Sequence, residues 1–253
     1  MPLSINVWAI WWCMEYKEFN KLFKQELDKT NINLNEIQIE KFYKYMLLIQ
    51  EWNEKINLTA ILEPKDMIIK HFIDSLSVAP KIKSGSKIID VGTGAGFPGI
   101  PLKIYDETLD ITLMDSLNKR IIFLNEVALQ LTFKDKIEII HGRAEEMAQN
   151  PKYREQFDAA ISRAVAPLNI LLEYLVPFVK VNGKVIAMKG SNFEEEIDEA
   201  KNAFKILECQ TEKIEKIILP EGCGERNIIE IKKCNTTKKI YPRKAGTPKK
   251  NPL

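Results

Sequence analysis

The 253 residues carry 37 Lys and Arg against 35 Asp and Glu, a formal charge of +2, with 45% hydrophobic and 28% charged residues. These proportions suit a globular α/β domain with an extension and exclude a disordered chain. No uninterrupted apolar run of about 20 residues exists to cross a bilayer, which excludes a membrane-spanning helix.

The chain opens on an apolar stretch, 1–13, that holds Trp8, Trp11 and Trp12, with no charge before Glu15. It has neither the basic n-region nor the small-residue cleavage site of a signal peptide. Met14-Glu-Tyr-Lys-Glu-Phe reads like a start of its own, so 1–13 is expected to be an appendage outside the fold; an interfacial membrane anchor is the other reading. Residues 14–83 then form a helical extension. Phe19, Leu22, Phe23 and Leu27 recur at helical spacing over 16–27, as do Ile39, Phe42, Tyr43, Met46 and Ile49 over 35–52. Asn57 and Thr59 read as a turn and cap before a third helix. Pro64 stands where that helix can begin, and Met67, Ile68 and Phe72 carry it to Leu76. His71 on it reads as a hydrogen-bonded packing residue, with Asp74 one turn on.

From Lys87 the texture changes. Strands are predicted at 87–91, 111–115, 137–141, 157–161 and 184–188, with helices at 99–105, 118–131, 144–149 and 168–179 between them. Strands separated by helices imply right-handed crossovers and a parallel sheet. After an acidic helix over 193–207 come strands at 211–219 and 227–232, whose short connector Pro-Glu-Gly-Cys-Gly-Glu-Arg suits a hairpin. The expectation is an α/β domain over 84–234, a doubly wound, mostly parallel seven-stranded sheet ending in an antiparallel hairpin. From Lys232 onward there are eight basic residues and no acidic one, leaving 29 basic against 35 acidic in 1–231, a net of −6. Residues 235–253 therefore read as a basic tail, either simply solvated or contacting phosphates through Arg243, Lys244, Lys249 and Lys250. Pro242, Gly246 and Pro248 argue for an ordered tail packed beside the site.

Four cysteines (Cys13, Cys209, Cys223, Cys234) form no Cys-x-x-Cys pair, and only His71 and His141 accompany them. No metal site is expected. Sparse, unpaired cysteine suits a reducing compartment and predicts a cytoplasmic protein.

The chemistry concentrates in Ile88-Ile-Asp-Val-Gly-Thr-Gly-Ala-Gly-Phe-Pro-Gly99, which leaves a predicted strand and enters a predicted helix. Glycine lets the backbone turn sharply and approach a ligand with no Cβ in the way. Gly94-Ala-Gly-Phe-Pro-Gly99 fits the dinucleotide G-x-G-x-x-G loosely. Asp90-x-Gly92-x-Gly94-x-Gly96 is the pattern typical of S-adenosylmethionine enzymes. A pyrophosphate needs a helix N-terminus aimed at it, whereas S-adenosylmethionine carries no phosphate and relies on the loop and a nearby carboxylate. Asp115, at the next strand's end, can accept from ribose hydroxyls, or it can simply form a turn. Gly142-Arg-Ala-Glu145 opens a helix where an adenine would lie, although Glu145 and Glu146 also suit a helix's first turn. Arg163, ending the fourth strand, faces the ligand crevice; a structural ion pair is the alternative.

Asp90–Pro101 followed by Asp115-Ser-Leu-Asn-Lys-Arg120 resembles the bacterial 16S rRNA guanine-N7 methyltransferase family, also called glucose-inhibited division protein B. The likeness continues through Trp52-Asn, Asn57-Leu-Thr-Ala60, His71-Phe-Ile-Asp-Ser75, Ile161-Ser-Arg-Ala164, Lys189-Gly190 and Tyr241-Pro-Arg-Lys-Ala-Gly-Thr-Pro248. It covers nearly everything after Met14, and 1–13 departs from it. The resemblance implies cofactor contacts at Gly92, Phe97, Ala144, Glu145 and Arg163 with Asp115 at the ribose; the loop reading adds Gly94. It also implies a guanosine acceptor in the decoding-region loop of 16S rRNA, either free or in the small ribosomal subunit. No stable protein partner is inferred.

Absences narrow the acceptor. The Asn/Asp-Pro-Pro-aromatic motif of amino-methyltransferases is replaced by Ile161-Ser-Arg-Ala-Val-Ala166, and no cysteine follows a proline as cytosine-C5 chemistry would ask. Guanine N7 holds an unprotonated lone pair, so its methylation needs alignment and electrostatics but no general base. No catalytic residue is assigned. A nicotinamide oxidoreductase would need a hydride-handling acid or base, and none stands out. A non-enzymatic rRNA-binding assembly factor that keeps the cofactor fold is the alternative function, and methylation of a small molecule or protein would make the tail dispensable.

Overall fold

Helix α1 (Tyr16–Leu27) lays Phe19, Phe23 and Leu27 into the interior at i, i+4 and i+8. In the computed structural model, which describes residues 14–133, 135, 137–163 and 165–253, α2 (Glu36–Ile56) packs against it. The expected appendage 1–13 lies outside the described residues. A capping box starts α2: Asn35 accepts from the Gln38 N–H, and the Gln38 side chain accepts from the Asn35 N–H. The helix runs four residues beyond the expected Trp52. It ends where Asn57 turns left-handed (φ 47°) and Asn53 Oδ1 accepts the N–H groups of Leu58 (2.6 Å) and Thr59 (2.8 Å). The expected third helix is split. α3 (Pro64–Met67) passes into a π-helical turn, Ile68–Ile73, before α4 (Asp74–Leu76). The wider turn carries His71, and such turns concentrate at functional sites.

The seven strands are β1 (Lys87–Val91), β2 (Asp110–Asp115), β3 (Ile137–His141), β4 (Phe157–Arg163), β5 (Val179–Lys189), β6 (Cys209–Ile218) and β7 (Glu225–Lys233). They form one sheet in the order β3-β2-β1-β4-β5-β7-β6, parallel except where β7 runs antiparallel to both its neighbours. This is the expected doubly wound sheet and closing hairpin. Successive side chains point to opposite faces. Ile88, Ile111, Leu113 and Ile161 pack under the helical extension with α5 (Gly99–Tyr105) and α6 (Asn118–Gln130). Ile89, Met114, Ala160 and Ile229 pack on the other face with α7 (Ala144–Met147) and α8 (Leu168–Leu175). The helix expected over 193–207 breaks at Ala200 into α9 (Phe193–Glu199) and α10 (Lys201–Ile206).

The basic tail folds back as part of the domain. Arg154 reaches the carbonyls of Thr237 (2.8 Å) and Tyr241 (2.8 Å), Pro248 is buried in α11 (Thr247–Lys250), and Tyr241 and Leu253 pack against the second core cluster. Two of the eight basic residues face inward. Lys233 is fully buried and gives its ammonium to Glu155 and to the carbonyl of Val179. Arg243 meets Glu173, which is fully buried, through Nε (2.9 Å), Nη2 (2.6 Å) and its own backbone N–H (2.8 Å). The expected phosphate contact by Arg243 is corrected accordingly: a buried carboxylate must be paired, and this guanidinium pairs it. Lys244, Lys249 and Lys250 remain exposed.

Candidate active site

The loop after β1 is held from three sides. The N–H groups of Gly92 (2.8 Å) and Thr93 (3.1 Å) donate to the Met114 carbonyl, and that of Gly94 donates to Asp115 Oδ2 (2.9 Å). Gly92 and Gly94 have φ of +73° and +63°, the left-handed region that favours glycine. A Cβ on Gly92 would stand 2.6 Å from Val165 Cγ2, whereas one on Gly94 would meet no protein atom within 4 Å. The two glycines thus differ: Gly92 is enclosed by the protein, and Gly94 faces open space. From the helical extension, the Tyr45 hydroxyl donates to the Ala95 carbonyl at 2.5 Å. Beneath the loop, Asp90 is fully buried, with Oδ2 accepting from the Thr93 hydroxyl (2.6 Å) and the Gly99 N–H (2.9 Å). Burial pushes its carboxyl up to about 7 against those hydrogen bonds.

Asp115 is also buried and plays the turn role and a cleft role together. Oδ1 accepts from the Leu117 N–H (2.9 Å), closing the turn, and Oδ2 takes Gly94 and Arg120 Nη1 (3.1 Å). A carboxylate oxygen has two acceptor sites, so Oδ1 keeps one for a further donor. A 240 Å³ cavity beside it is bounded by Gly92, Asp115, Gly142, Ala144, Glu145 and Tyr174. Glu145 Oε1 there accepts the Gly246 N–H (2.9 Å), so the folded-back tail forms part of this cavity's support.

A second cavity of 420 Å³ shares Gly92, Asp115 and Val165 with the first and adds Thr59, His71, Phe97 and Arg163. Arg163 fulfils both readings made of it. It pairs with Asp74 (Nη1 to Oδ2, 2.9 Å) and lies over the Phe97 ring, 4.8 Å from its centroid, on the cavity wall. Burial raises the Asp74 carboxyl against the pull of Arg163 and Arg226, the latter's Nε 3.2 Å from Oδ1. His71 also stacks on the Phe97 ring, at 4.4 Å and 21°. Its Nε2 is 2.9 Å from Thr59 Oγ1 and its Nδ1 3.3 Å from Arg163 Nη2. Burial, and then the Arg163 charge, lower its pKa to about 3, so the ring is neutral at pH 7.

Gly92, Gly94, Phe97, Asp115, Ala144, Glu145 and Arg163 therefore all line these two joined cavities. Tyr45 escaped the sequence reading, although Phe42, Tyr45, Met46 and Ile49 make the better i, i+3, i+4, i+7 stripe and all four are fully buried, while Tyr43 is half-buried.

A glycine loop backed by a buried carboxylate, at the C-terminal edge of a 3-2-1-4-5-7-6 sheet, defines the S-adenosylmethionine-dependent methyltransferases. Solved structures agree on the fold: P. horikoshii TYW2 in complex with MeSAdo superposes with a TM-score of 0.51 at 12% identity, over 64% of this chain and 61% of that one. A predicted O-methyltransferase from Agrobacterium tumefaciens gives 0.50 at 16% identity, over 65% and 82%. The family model for rRNA small subunit methyltransferase G, GidB, matches residues 38–229, and this chain belongs to that family. Ribosomal RNA small subunit methyltransferase G of Acetivibrio thermocellus is 50% identical over 243 residues, 95% of this chain and 100% of the relative. That of Thermoanaerobacter sp. (strain X514) is 52% identical over 224 residues, 88% and 93%.

Proposed function

We propose that this chain moves the methyl group of S-adenosylmethionine to N7 of a guanosine in the decoding-region loop of 16S rRNA. The residues present fit that cofactor. Gly94 leaves the loop backbone approachable, Asp115 retains an acceptor site for a ribose hydroxyl, and Ala144 and Glu145 border the space beside it for an adenine. Phe97 and Arg163 stand at the other end, nearer the acceptor. Bound there, S-adenosylmethionine supplies an electrophilic methyl on a sulfonium.

One observation carries the choice of N7. Among the described residues the second cavity offers no effective general base: His71 is neutral with both ring nitrogens engaged, its conjugate acid near pKa 3, and Asp115 is tied to Gly94, Leu117 and Arg120. An acceptor that must lose a proton is poorly served, whereas N7 presents a ready lone pair. The protein's part is to hold that nitrogen in line with the methyl carbon and to exclude water.

An rRNA substrate puts this work in the cytoplasm, where ribosomal subunits are made; among the described residues no helix is long and apolar enough to cross a membrane. The exposed Lys244, Lys249 and Lys250 offer phosphate contacts beside the cleft. The test is methyl transfer from radiolabelled S-adenosylmethionine to unmodified 16S rRNA and to small subunits, followed by borohydride reduction and aniline cleavage, which together cut the chain at 7-methylguanosine. A single labelled cleavage site in that loop is expected. Label at another atom refutes the N7 assignment, and tight RNA binding without transfer favours an assembly factor.

A further inference from the structure

We propose that the hydroxyl of Thr59 is a donor-only group that reads O6 of the acceptor guanine, making Thr59 the residue that separates guanine from a purine with an amino group at that position. The inference rests on the guanine-N7 reading above.

The hydrogen-bond inventory fixes the donor. Arg163 has only donors, so we assign His71 Nδ1, 3.3 Å from Arg163 Nη2, as the accepting nitrogen of the neutral ring, in preference to the tautomer that would turn an N–H toward the Lys70 carbonyl. The ring proton then sits on Nε2, which donates to Thr59 Oγ1 at 2.9 Å. The Ile61 N–H donates to the same oxygen at 3.1 Å. Both lone pairs of the hydroxyl are thereby taken, and its hydrogen is left to find an acceptor elsewhere. Thr59 is half-buried and borders the 420 Å³ cavity with Phe97 and Arg163. Its backbone is fixed by Asn53 Oδ1, which accepts the N–H groups of Leu58 and Thr59. The hydroxyl therefore has a set position as well as a set polarity.

The sheet order says what it meets. Along β3-β2-β1-β4 the adenine-side residues belong to the end of β3, the ribose carboxylate Asp115 to β2, and Arg163 to β4. The reacting end of the cofactor site is thus at the β1–β4 switch point, the end that Thr59 and His71 overhang from the helical extension. A base entering there presents N7 to the methyl group, and the atom next to N7 along the same edge is O6 in guanine and an amino group in adenine. A hydroxyl with no free lone pair satisfies O6 and meets an amino group hydrogen to hydrogen. As the N7–methyl bond forms and the carbon–sulfur bond breaks, positive charge passes from sulfur to the base. A donor at O6 does not stabilise that charge, so Thr59 sets register and selectivity and is a positioning residue.

The experiment uses the full chain and the RNA substrate, carrying either guanosine or 2,6-diaminopurine at the target, with transfer mapped to N7. Thr59→Val is expected to raise KM for the guanosine substrate with little change in kcat. It should narrow the guanosine-to-diaminopurine ratio of kcat/KM about ten-fold, the scale of one buried hydrogen bond. Thr59→Ser should restore both. S-adenosylmethionine affinity of Thr59→Val, by calorimetry, should equal that of the wild type. If Thr59→Val does not fold, His71→Phe keeps the stack on Phe97 but withdraws the Nε2 proton; it returns a lone pair to Thr59 and should narrow the same ratio. An unchanged ratio in the folded variant overturns the proposal, as does weakened cofactor binding with unchanged selectivity, which assigns the hydroxyl to the cofactor. Failure of the wild type to methylate N7 overturns the underlying reading, and this proposal with it.

Discussion

Two irregular segments support the cofactor cleft, and they encode their structure differently. The loop over 90–99 carries its instructions locally: glycines at positive φ and an aspartate whose partners, Thr93 and Gly99, lie within nine residues. The segment over 235–253 is held by Arg154, Glu155 and Glu173, and it supports the cleft through Glu145, which lies 101 residues from Gly246. A local signal can be read from composition and spacing. A long-range one takes its meaning from its partners, and a run of lysine and arginine looks the same whether it faces water or a buried carboxylate.

The loop should fail hardest. Gly92→Val places a β-branched side chain at φ +73° and its Cβ 2.6 Å from Val165 Cγ2. The expected loss of S-adenosylmethionine affinity is at least about 100-fold, roughly 3 kcal/mol. Gly94→Ala meets no protein atom, so it should lose affinity, through the methyl group placed in the ligand's approach path, while costing less stability than Gly92→Val. Equal and mild losses in both, measured by calorimetry, would show that the loop does not depend on backbone geometry.

The segment should fail next, and in stability as well as binding. Arg243→Ala strands the fully buried Glu173, for which a cost of about 3 kcal/mol is expected in urea denaturation. Because Tyr174 and Glu145 border the adenine-side cavity, cofactor affinity should fall too, about ten-fold. A variant as stable and as tight-binding as the wild type would return the segment to a surface tail.

A pH titration separates the loop from the helical extension that overlies it. The folded pKa of Asp90, about 7, stands above its ordinary 3.8, so the native state keeps a proton the unfolded chain releases and stability declines as pH rises through that window. His71, at about 3 against 6.5, works the other way: the unfolded chain takes a proton the native state refuses, and stability declines as pH falls from 6.5. The two contributions oppose each other between about 4 and 6.5. Asp90→Asn should therefore leave a stability that rises with pH over this range, by up to about 1.4 kcal/mol per unit, and His71→Phe one that falls. Parallel pH curves for wild type and both variants would show that neither group is perturbed as stated.

The smallest effect is expected on the segment's outer face. Replacing the exposed Lys244, Lys249 and Lys250 by alanine should leave stability unchanged and reduce the salt slope of RNA binding by about 2, at roughly 0.7 per phosphate contact. An unchanged slope would remove these lysines from the RNA interface.

The amino-acid sequence alone determined the alternation of strands and helices, the closing hairpin and the glycine loop, because period-2 and period-3.6 patterns and left-handed glycines are local properties. Gly92, Asp115 and Arg163 were legible because each stands at the end of a strand, where a doubly wound sheet binds its ligands. The tertiary structure decided which partners the polar residues took. It put Asp74 on Arg163 across 89 positions, Tyr45 on the loop across 50, and Arg243 on Glu173 across 70. It also widened the Ile68–Ile73 turn that carries His71. Such pairings form only when packing of the two sheet faces brings distant segments together. Once buried, a charge or donor is compelled to use the partner it meets there.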